Sequence, residues 1–308
     1  MSSYHLVSYQ SPKGPRAGVV VGEQVFDAEA LTRKTAYATV LGILNDWRRA
    51  EGSIRKAATA AAKRKAKGRP LKRTRLLAPV LWPSAIYCAG ANYTDHMLEM
   101  ARLQNIPPAS DPHEVGLKPW HFIKASRTVT GHDTTIKLPA ASKAIDWEAE
   151  LGAVIGRPAK NIPINKALDY VAGYTIANEL SARDLGRREQ LPDQSPFKYD
   201  WVGQKCFDDA CPLGPWIVPA RDIKDPQKLG IKLWVNGVLK QDSNTSQMIF
   251  TLAEQIAHLS SRITLYPGDI ILTGTPAGVG AARKEFLKRG DVTKVWIEGI
   301  GTLTNKFA

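Results

Sequence analysis

Cysteine is scarce in this chain of 308 residues, which contains only Cys88, Cys206 and Cys211. Three cysteines without a CxxC pair disfavour a structural zinc site, and they are too few and too irregularly spaced for a disulfide framework. Such cysteine usage is typical of a reducing compartment. We therefore expect a cytoplasmic protein.

Apolar runs long enough to cross a membrane are also lacking, since no stretch approaches about 18 consecutive apolar residues. Residues 1–7 show no basic region followed by an apolar region, so we expect neither a membrane span nor a secretory signal. The hydrophobic content of 44% and the charged content of 23% are ordinary for a globular protein. This composition excludes disorder of the whole chain.

Acidic residues are absent from one segment, residues 54–75, which contains ten lysines and arginines. Removing these ten charges from the net charge of +13 leaves +3, so the positive excess is local. The segment is rich in alanine and predicts either a solvated basic helix or a mobile connector, or else a surface that attracts anionic partners. No aromatic residues interleave the basic ones, which disfavours nucleic acid as a partner.

The first 76 residues predict a small domain. Short apolar groups separated by proline and glycine at residues 4–28 predict an antiparallel meander, and apolar side chains at helical spacing in residues 36–49 predict a short helix. The chain becomes apolar again after the basic segment. We therefore expect a small N-terminal α/β domain with a basic connector at residues 1–76 and a larger domain at residues 77–308.

Two glutamates, Glu148 and Glu150, precede an apolar run within residues 146–156. Side chains two apart in a strand leave the same face, so these carboxylates point together. Like charges beside a buried strand repel unless a cation holds them, and a hard divalent metal with oxygen ligands would do so. The alternative is an exposed strand with two solvated glutamates.

His96 and Glu99 stand three apart after a short buried strand, in a segment that predicts a helix capped by Asn92 or Thr94. The two side chains share one helical face. A glutamate beside an imidazole orients the ring and supports its charged form, as a general base requires. A surface ion pair is the alternative.

Two loops accompany these residues. Residues 106–119 are polar, rich in proline and without periodicity, which is typical of a lid. Residues 267–280 include a glycine-rich loop after a strand, but neither GxGxxG nor GxxxxGK is present, which disfavours a phosphate-binding loop. These glycines favour close approach of the backbone to a substrate, with the Thr275 hydroxyl as a donor.

Several motifs, taken in chain order, resemble the fumarylacetoacetate hydrolase family from about Leu77 to the C-terminus. They are Gly90-Ala91-Asn92-Tyr93 with His96 and Glu99, Phe122-Ile123-Lys124, Asp146 to Leu151, Gly173-Tyr174-Thr175, Ser181 to Leu185, Pro212 to Pro215, and Gly268-Asp269 with Gly274-Thr275-Pro276. The resemblance implies an α+β fold in which a mixed β-sheet rolls on itself, flanked by helices, behind a small N-terminal domain. It also implies a homodimer.

The resemblance assigns roles by position. It implies that Glu148, Glu150 and Glu179 bind a divalent metal, Mg²⁺ or else Mn²⁺ or Ca²⁺, although Glu179 is one methylene longer than the aspartate usual at its position. It implies the catalytic residues His96, Glu99 and Lys124 and the substrate-binding residues Tyr93, Arg183, Lys205 and Thr275. Arg183 and Asp184 are expected either to form a buried salt bridge or to support the site. Gly186 stands where many members carry glutamine, so that contact is either missing or supplied by Gln190 or Gln194.

The activity implied is metal-dependent hydrolysis of a C–C bond in an acylpyruvate or diketo acid, with a small dicarboxylic oxo acid as the substrate. The alternatives are an oxaloacetate-type decarboxylase and an isomerase or hydratase of the 2-hydroxyhepta-2,4-diene-1,7-dioate type, because both use the same enolate chemistry. A member that lost catalysis and binds a polyanion through residues 54–75 is a further alternative.

Overall fold

The computed structural model of the protein describes residues 3–108 and 110–308. Within these residues the chain is mostly sheet. The strands are β1 (His5–Ser11), β2 (Gly14–Val21), β3 (Gln24–Asp27), β4 (Arg69–Pro70), β5 (Ile86–Ala89), β6 (His121–Lys124), β7 (Val129–Thr130), β8 (Thr135–Ile136), β9 (Ile145–Asp146), β10 (Ala149–Ile155), β11 (Val171–Asn178), β12 (Ser181–Ala182), β13 (Cys211–Pro219), β14 (Gly230–Val235), β15 (Val238–Asn244), β16 (Ile270–Leu272), β17 (Val292–Ile297) and β18 (Gly301–Phe307). The α-helices are α1 (Ala28–Thr32), α2 (Val40–Asn45), α3 (Trp47–Lys63), α4 (Thr94–Gln104), α5 (Trp201–Lys205), α6 (Leu252–Arg262) and α7 (Gly280–Arg283). None of the described helices is long and apolar enough to cross a membrane.

The larger sheet has the strand order β4-β3-β2-β1-β13-β11-β10-β16-β5-β6, with β7 beside β13. It is mixed, because β16 runs parallel to β5 and β13 runs parallel to β7 while the other pairs are antiparallel. Its central strands β10 and β11 are buried along their whole length. This burial explains why their sequences read as continuous apolar runs rather than as alternating ones.

A second sheet has the order β15-β14-β17-β18-β8. It lies against β10, β11 and β13 of the larger sheet, and the side chains between the two sheets form one core that contains Trp147, Leu151, Ile176 and Leu233. The larger, mixed sheet thus packs face to face against a second, separate sheet.

The secondary structure predicted for the first 76 residues is confirmed in part. The antiparallel meander is confirmed as β1 to β3. The expected single helix at residues 36–49 is instead a 3₁₀ turn followed by α2 and the start of α3, which Asp46 separates. The basic segment is not a connector without structure, because its first part is the end of α3 and Arg69–Pro70 pairs with β3.

Elsewhere the turn chemistry follows the sequence. Asn236 and Gly237 both have positive φ and join β14 to β15, as the Asn-Gly hairpin signal requires. The predicted cap of α4 is wrong: Tyr93 occupies the N-cap position, and no side chain caps the helix. Asn92 instead bonds the backbones of Phe250 and Thr273, which fixes the start of α4 to the rest of the domain.

The division at residues 76 and 77 stays a prediction, and the two parts share contacts across it. Strand β1 pairs with β13 at Leu6 and Ile217, so the meander extends the larger sheet. Leu6 and Ile217 also belong to one core. Arg55 of α3 is buried and bonds Asp222 at 3.1 Å.

We therefore predict that residues 77–308, expressed without residues 1–76, unfold at a lower temperature than the full chain. The physical reason is that the truncation exposes the β13 edge and the apolar surface around Ile217. Thermal unfolding followed by circular dichroism checks this expectation. An unchanged melting temperature of a well-behaved fragment would contradict it.

Candidate active site

The candidate site begins where two paired strands bring three glutamates together. Glu148 immediately precedes β10, Glu150 is its second residue, and Glu179 immediately follows β11. The register pairs Ala149 with Asn178, so all three side chains stand at the same edge of the sheet. One carboxylate oxygen from each lies within 4.8 Å of the others, and all three residues are buried. The alternative of solvated glutamates is thereby excluded.

Backbone and amide bonds fix this junction of strands. The Glu179 N–H donates to the Glu148 carbonyl at 2.8 Å, and the Glu148 N–H donates to Oδ1 of Asn178 at 3.0 Å. These bonds hold Glu148 against the end of β11. The glutamates are therefore positioned by the sheet itself and not by a flexible loop.

Three cations accompany the carboxylates. The Lys124 ammonium donates to Oε1 of Glu179 at 2.5 Å, and the Lys205 ammonium bonds Glu179 and lies 3.3 Å from Oε2 of Glu148. Arg183 bonds Glu148 and, through Nε at 2.9 Å, Asp146. Four buried carboxylates (Asp146, Glu148, Glu150 and Glu179) thus face three cations, which leaves one negative charge when all are ionised.

Glu150 is the carboxylate with no cation bonded to it among the described residues, and its Oε2 accepts only the Gly274 N–H at 2.8 Å. Burial, followed by the charges of Glu179 and Glu148, raises its pKa well above the usual value. Burial also raises the pKa of Glu179 to about 7, although Lys124 and Lys205 oppose the rise. For Glu148 burial acts upward as well, but Lys205 and Arg183 outweigh it and lower the pKa.

The glycine-rich loop binds protein carboxylates with its backbone. Gly274 donates to Glu150, Gly278 donates to Glu99 at 2.9 Å, and Gly280 donates to Asp146 at 2.6 Å. These three amides therefore hold acids of the site, and the expected close approach of the loop backbone to a substrate stays a prediction. Gly278 has a φ of +99°, and a β-carbon there would lie 2.0 Å from the Lys240 carbonyl oxygen.

His96 and Glu99 lie on one face of α4, as their spacing predicts. Nδ1 of His96 is 3.7 Å from Oε2 of Glu99, an ion-pair distance that is too long for a hydrogen bond. Nδ1 is buried and has no hydrogen-bond partner within the described part of the chain. The backbone bond from Gly278 and the charge of His96 help to lower the pKa of Glu99 against the opposing effect of burial, which is the largest single influence.

These groups meet at a cavity of about 330 Å³, a size typical of small-molecule sites. Six residues predicted from the sequence line it: His96, Glu148, Glu150, Arg183, Lys205 and Thr275. Glu99 contacts His96, and Glu179 contacts Lys205. Both glutamates therefore lie directly behind the lining residues. No described residue of the expected lid, 106–119, lines the cavity, and Ala109 lies outside the described residues.

Tyr93 and Lys124 are not where substrate-contacting residues would be. Tyr93 is fully buried, its hydroxyl has no hydrogen-bond partner among the described residues, and it is not part of the cavity lining. Lys124 is 1% exposed and donates to Glu179 and to the Leu180 carbonyl. Its position is that of a residue that compensates the charge of Glu179, and it offers no cation to the cavity.

One of the two alternatives for Arg183 and Asp184 does not occur, because Arg183 does not pair with Asp184, which accepts hydrogen bonds from Ser142 and from the Lys143 N–H. Arg183 instead agrees with the other alternative, since it supports the site through its bonds to Glu148 and Asp146. The space beside Gly186 is filled by Gln204, since a β-carbon at Gly186 would lie 2.5 Å from Oε1 of Gln204. Gln204 lines the cavity, whereas Gln190 and Gln194 are exposed elsewhere.

Sequence reasoning also missed an aromatic group at the cavity: Trp120, Phe122, Tyr199 and Trp201. Their clustering depends on packing between β6 and α5, which are distant in the chain. The only sequence signal is the density of aromatic residues just before Lys124 and just before Lys205. That signal alone does not separate a site wall from core packing.

The residues present fit a divalent cation. Three buried carboxylate oxygens are close enough to share one ion, and oxygen donors of this kind suit Mg²⁺, Mn²⁺ or Ca²⁺. The raised pKa of Glu150 is a further sign, because this carboxylate has no positive charge bonded to it. A cation there would compensate the charge that the three basic side chains leave over.

We predict that metal binding releases about one proton, because a ligand carboxylate must be ionised while burial favours protonated Glu150 in the metal-free protein. The pKa of Glu179 is raised from 4.5 in the unfolded chain to about 7 in the folded protein. Its protonated form therefore stabilises the metal-free fold fully below pH 4.5, and this stabilisation is lost as the pH rises through about 7. Mn²⁺ should therefore raise the melting temperature more at about pH 8 than at about pH 5.5.

Calorimetric titration of Mn²⁺ in two buffers with different ionisation enthalpies measures the released proton directly. The observed heats should differ between the buffers in proportion to the proton released. Equal heats, together with a thermal shift that does not depend on pH, would contradict the prediction.

A family model described as the C-terminal domain of fumarylacetoacetate hydrolase matches residues 85–308. Among curated proteins, a mitochondrial oxaloacetate tautomerase of Xenopus laevis is 44% identical over 232 residues, which cover 75% of this chain and 67% of the relative. The solved structure of maleylpyruvate hydrolase from Sphingobium, in complex with manganese(II) and pyruvate, is 29% identical with a TM-score of 0.75, covering 99% of this chain and 98% of that one. The solved structure of 2-hydroxyhepta-2,4-diene-1,7-dioate isomerase from Mycobacterium marinum is 32% identical with a TM-score of 0.69, and the match covers 99% of this chain and 98% of that one. The predicted α+β fold is confirmed by these matches.

Proposed function

Because the chain belongs to the fumarylacetoacetate hydrolase family, whose model matches residues 85–308, we propose that it is a metal-dependent enzyme that hydrolyses a C–C bond in an acylpyruvate or diketo acid. The observation that carries the proposal is that His96, Glu148, Glu150 and Lys205 line the same cavity. A base, a cation site and an ammonium group thus face one small volume. This combination suits a reaction that needs both an activated water and a stabilised enolate.

Glu148, Glu150 and Glu179 are the residues that would hold the ion, with Mg²⁺ or Mn²⁺ as the proposed metal and Ca²⁺ as the alternative. When bound, the ion would supply Lewis-acid polarisation of the 2-oxo group of the substrate. The manganese in the Sphingobium structure supports this choice by analogy. Lys124 acts behind the site, because its charge compensates Glu179 and keeps that carboxylate in place.

His96 activates the water. Glu99 stands beside Nδ1, which leaves Nε2 as the ring nitrogen that takes the proton. The resulting hydroxide adds to the distal carbonyl carbon of the substrate. Gly278 holds Glu99 from the other side, so the orientation of the ring depends on the glycine-rich loop.

Bond cleavage follows from that addition. The bond between the distal carbonyl carbon and its neighbour breaks, and its electron pair passes to the 2-oxo oxygen as an enolate. The Lys205 ammonium stabilises this charge, since its carboxylate neighbours outweigh burial and raise its pKa. A proton then returns to carbon, so one acylpyruvate and one water give a carboxylic acid and pyruvate.

Tautomerisation of an oxo acid such as oxaloacetate is the second candidate. The 44% identity to the Xenopus oxaloacetate tautomerase favours it. The same enolate would form at the same cavity, but His96 would move a proton between carbon and oxygen and no water would add. Decarboxylation and isomerisation share the enolate and remain alternatives. Identification of the products of oxaloacetate and of acylpyruvates by mass separates these activities.

We predict that Glu150→Gln loses both metal binding and turnover, whereas His96→Gln loses turnover alone. The Glu150 change removes an ion ligand, and we expect metal affinity to fall by about 100-fold or more. The His96 change removes the base, and we expect kcat to fall by about 10²–10⁴-fold with metal content unchanged. Metal analysis of the purified variants and steady-state kinetics on an acylpyruvate measure both quantities.

Glu23→Gln is the matched control, because Glu23 is an exposed glutamate that lies outside the cavity lining. It should leave metal content and kcat unchanged. Full turnover by metal-free Glu150→Gln would rule out the metal-dependent mechanism. Full turnover by His96→Gln would remove His96 from it.

Gln204 supplies the side-chain amide at the position beside Gly186, and we predict that Gln204→Ala lowers kcat/KM by up to about 10-fold, as expected for one uncharged hydrogen bond. The exposed Gln190 and Gln194 provide internal controls. Their alanine variants should match the parent enzyme. The reverse pattern would show that the amide comes from the 190–194 loop after all.

A homodimer and an oxo acid substrate are further parts of the proposal, together with a cytoplasmic location. Light scattering tests the first, and the substrate panel above tests the second. The polyanion-binding alternative would use the basic residues of the 54–75 segment. Two of them already contact other residues of this chain, because Arg55 is bonded to Asp222 and Arg69 stacks on Tyr9. A salt-sensitive gel shift without turnover of any oxo acid would favour that alternative.

A further inference from the structure

The cavity has a second end that the proposed chemistry leaves unused. Trp120, Phe122, Tyr199 and Trp201 form one of its walls, and we call these four residues the aromatic wall. Trp120 is 50% exposed, Tyr199 51% and Trp201 44%, although each has at least one ring neighbour within the group. Large aromatic faces thus remain open beside a cluster of buried charges.

The wall has ordered geometry. Phe122, Trp201 and Tyr199 form a ladder of nearly parallel rings, with interplanar angles of 19° and 18° and centroid distances of 5.9 and 6.4 Å. The Trp120 ring closes the ladder at a tilt, 5.4 Å from Trp201. Rings arranged in this way present flat surfaces to a planar group.

Gly90 makes room for the wall. A β-carbon at this residue would lie 1.8 Å from Cζ3 of Trp120, so any other residue would displace the ring. The Gly90 N–H also donates to the Trp120 carbonyl at 3.1 Å. Trp120 is therefore held over the end of β5 by both its backbone and its side chain.

The wall is continuous with the charged end. The Lys205 ammonium, which bonds Glu148 and Glu179, also lies 4.8 Å from the centre of the Phe122 ring. The wall is therefore a surface within reach of the tail of a substrate whose oxo acid group binds at Lys205. The wall belongs to the substrate site and is not a separate surface.

The charge of the wall disfavours a distal carboxylate. Aromatic faces carry partial negative charge, so an anionic group beside them loses hydration without gaining a partner. Arg187 also lines the cavity, but its guanidinium already pairs with Asp193 at 2.6 Å and with Glu189 at 3.4 Å. The Arg187 guanidinium lies 6.0 Å from the centre of the Tyr199 ring, and together with Lys198 it shares the acids Glu189 and Asp193. Two cations and two carboxylates thus leave no net positive charge among these residues.

We infer that the aromatic wall binds the tail of the substrate, and that the substrate is an oxo acid whose tail is planar, conjugated or aromatic, and uncharged. This inference rests on the proposed function for the oxo acid end and goes beyond it for the tail. It departs from the dicarboxylic acid expected from the sequence. A short diacid such as oxaloacetate would leave the wall unused.

Three acylpyruvates test the inference with the metal-loaded full chain: acetylpyruvate, fumarylpyruvate and benzoylpyruvate. They share the oxo acid end and differ in a small tail, a planar charged tail and a planar uncharged tail. We expect kcat/KM for benzoylpyruvate to exceed the other two by about 10-fold or more, mainly through KM. Equal values for the three, or a preference for fumarylpyruvate, would overturn the inference while leaving hydrolysis in place.

The variants Trp120→Leu and Trp201→Leu should remove most of that preference. Trp82→Leu is the matched control, because Trp82 is also 50% exposed but lies outside the cavity, with Arg127 over its ring. Trp82→Leu should keep the preference. If Trp201→Leu changes the oligomeric state measured by light scattering and leaves the preference intact, the wall is an interface between copies of the chain and the inference is wrong.

Binding measured by tryptophan fluorescence separates the inference from the proposed function. If benzoylpyruvate quenches the fluorescence of the parent protein at lower concentration than acetylpyruvate does, but neither compound is hydrolysed, the tail site stands and the hydrolase proposal fails. Absence of binding by all three compounds would overturn both.

Discussion

The structure depends on keeping four carboxylates in a buried space that has one basic side chain too few to neutralise them. Asp146, Glu148, Glu150 and Glu179 are removed from water, and unpaired charge in such surroundings is costly. Lys124, Arg183 and Lys205 compensate three of the charges. The remaining deficit is concentrated on Glu150, and it is the physical reason for expecting a cation there.

Much of the fold serves this cluster. The pairing of β10 with β11 fixes the three glutamates. The backbone amides of the glycine-rich loop donate hydrogen bonds to Glu150, Glu99 and Asp146. A single loop therefore bonds Glu150, the proposed ion ligand, Glu99, the partner of the proposed base, and the carboxylate that holds Arg183. The proposed metal site and the proposed water-activating pair are thus joined through this loop, although they come from different elements.

The sequence predicted those parts of the site that depend on local spacing. A spacing of two residues in a strand predicted that Glu148 and Glu150 point the same way, and a spacing of three in a helix predicted that His96 and Glu99 share a face. Convergence of Glu179 on the other two depends on the pairing of β10 with β11, and only the family resemblance indicated it. Packing between distant segments decides the remaining features. These are the burial of Lys124 and Tyr93, the partners of Arg183, and the position of Gln204 beside Gly186. For the same reason the density of aromatic residues before Lys124 and Lys205 did not identify the aromatic wall, and the bonds from the loop amides to acids of the site were not predicted.

The most direct measurement is the position of a manganese ion in crystals of this protein, located by its anomalous scattering. One peak about 2.0–2.6 Å from oxygens of Glu148, Glu150 and Glu179 would agree with the metal centre proposed here. A map without a peak at this position in the presence of saturating Mn²⁺, with Lys205 still bonded to Glu148 and Glu179, would contradict it.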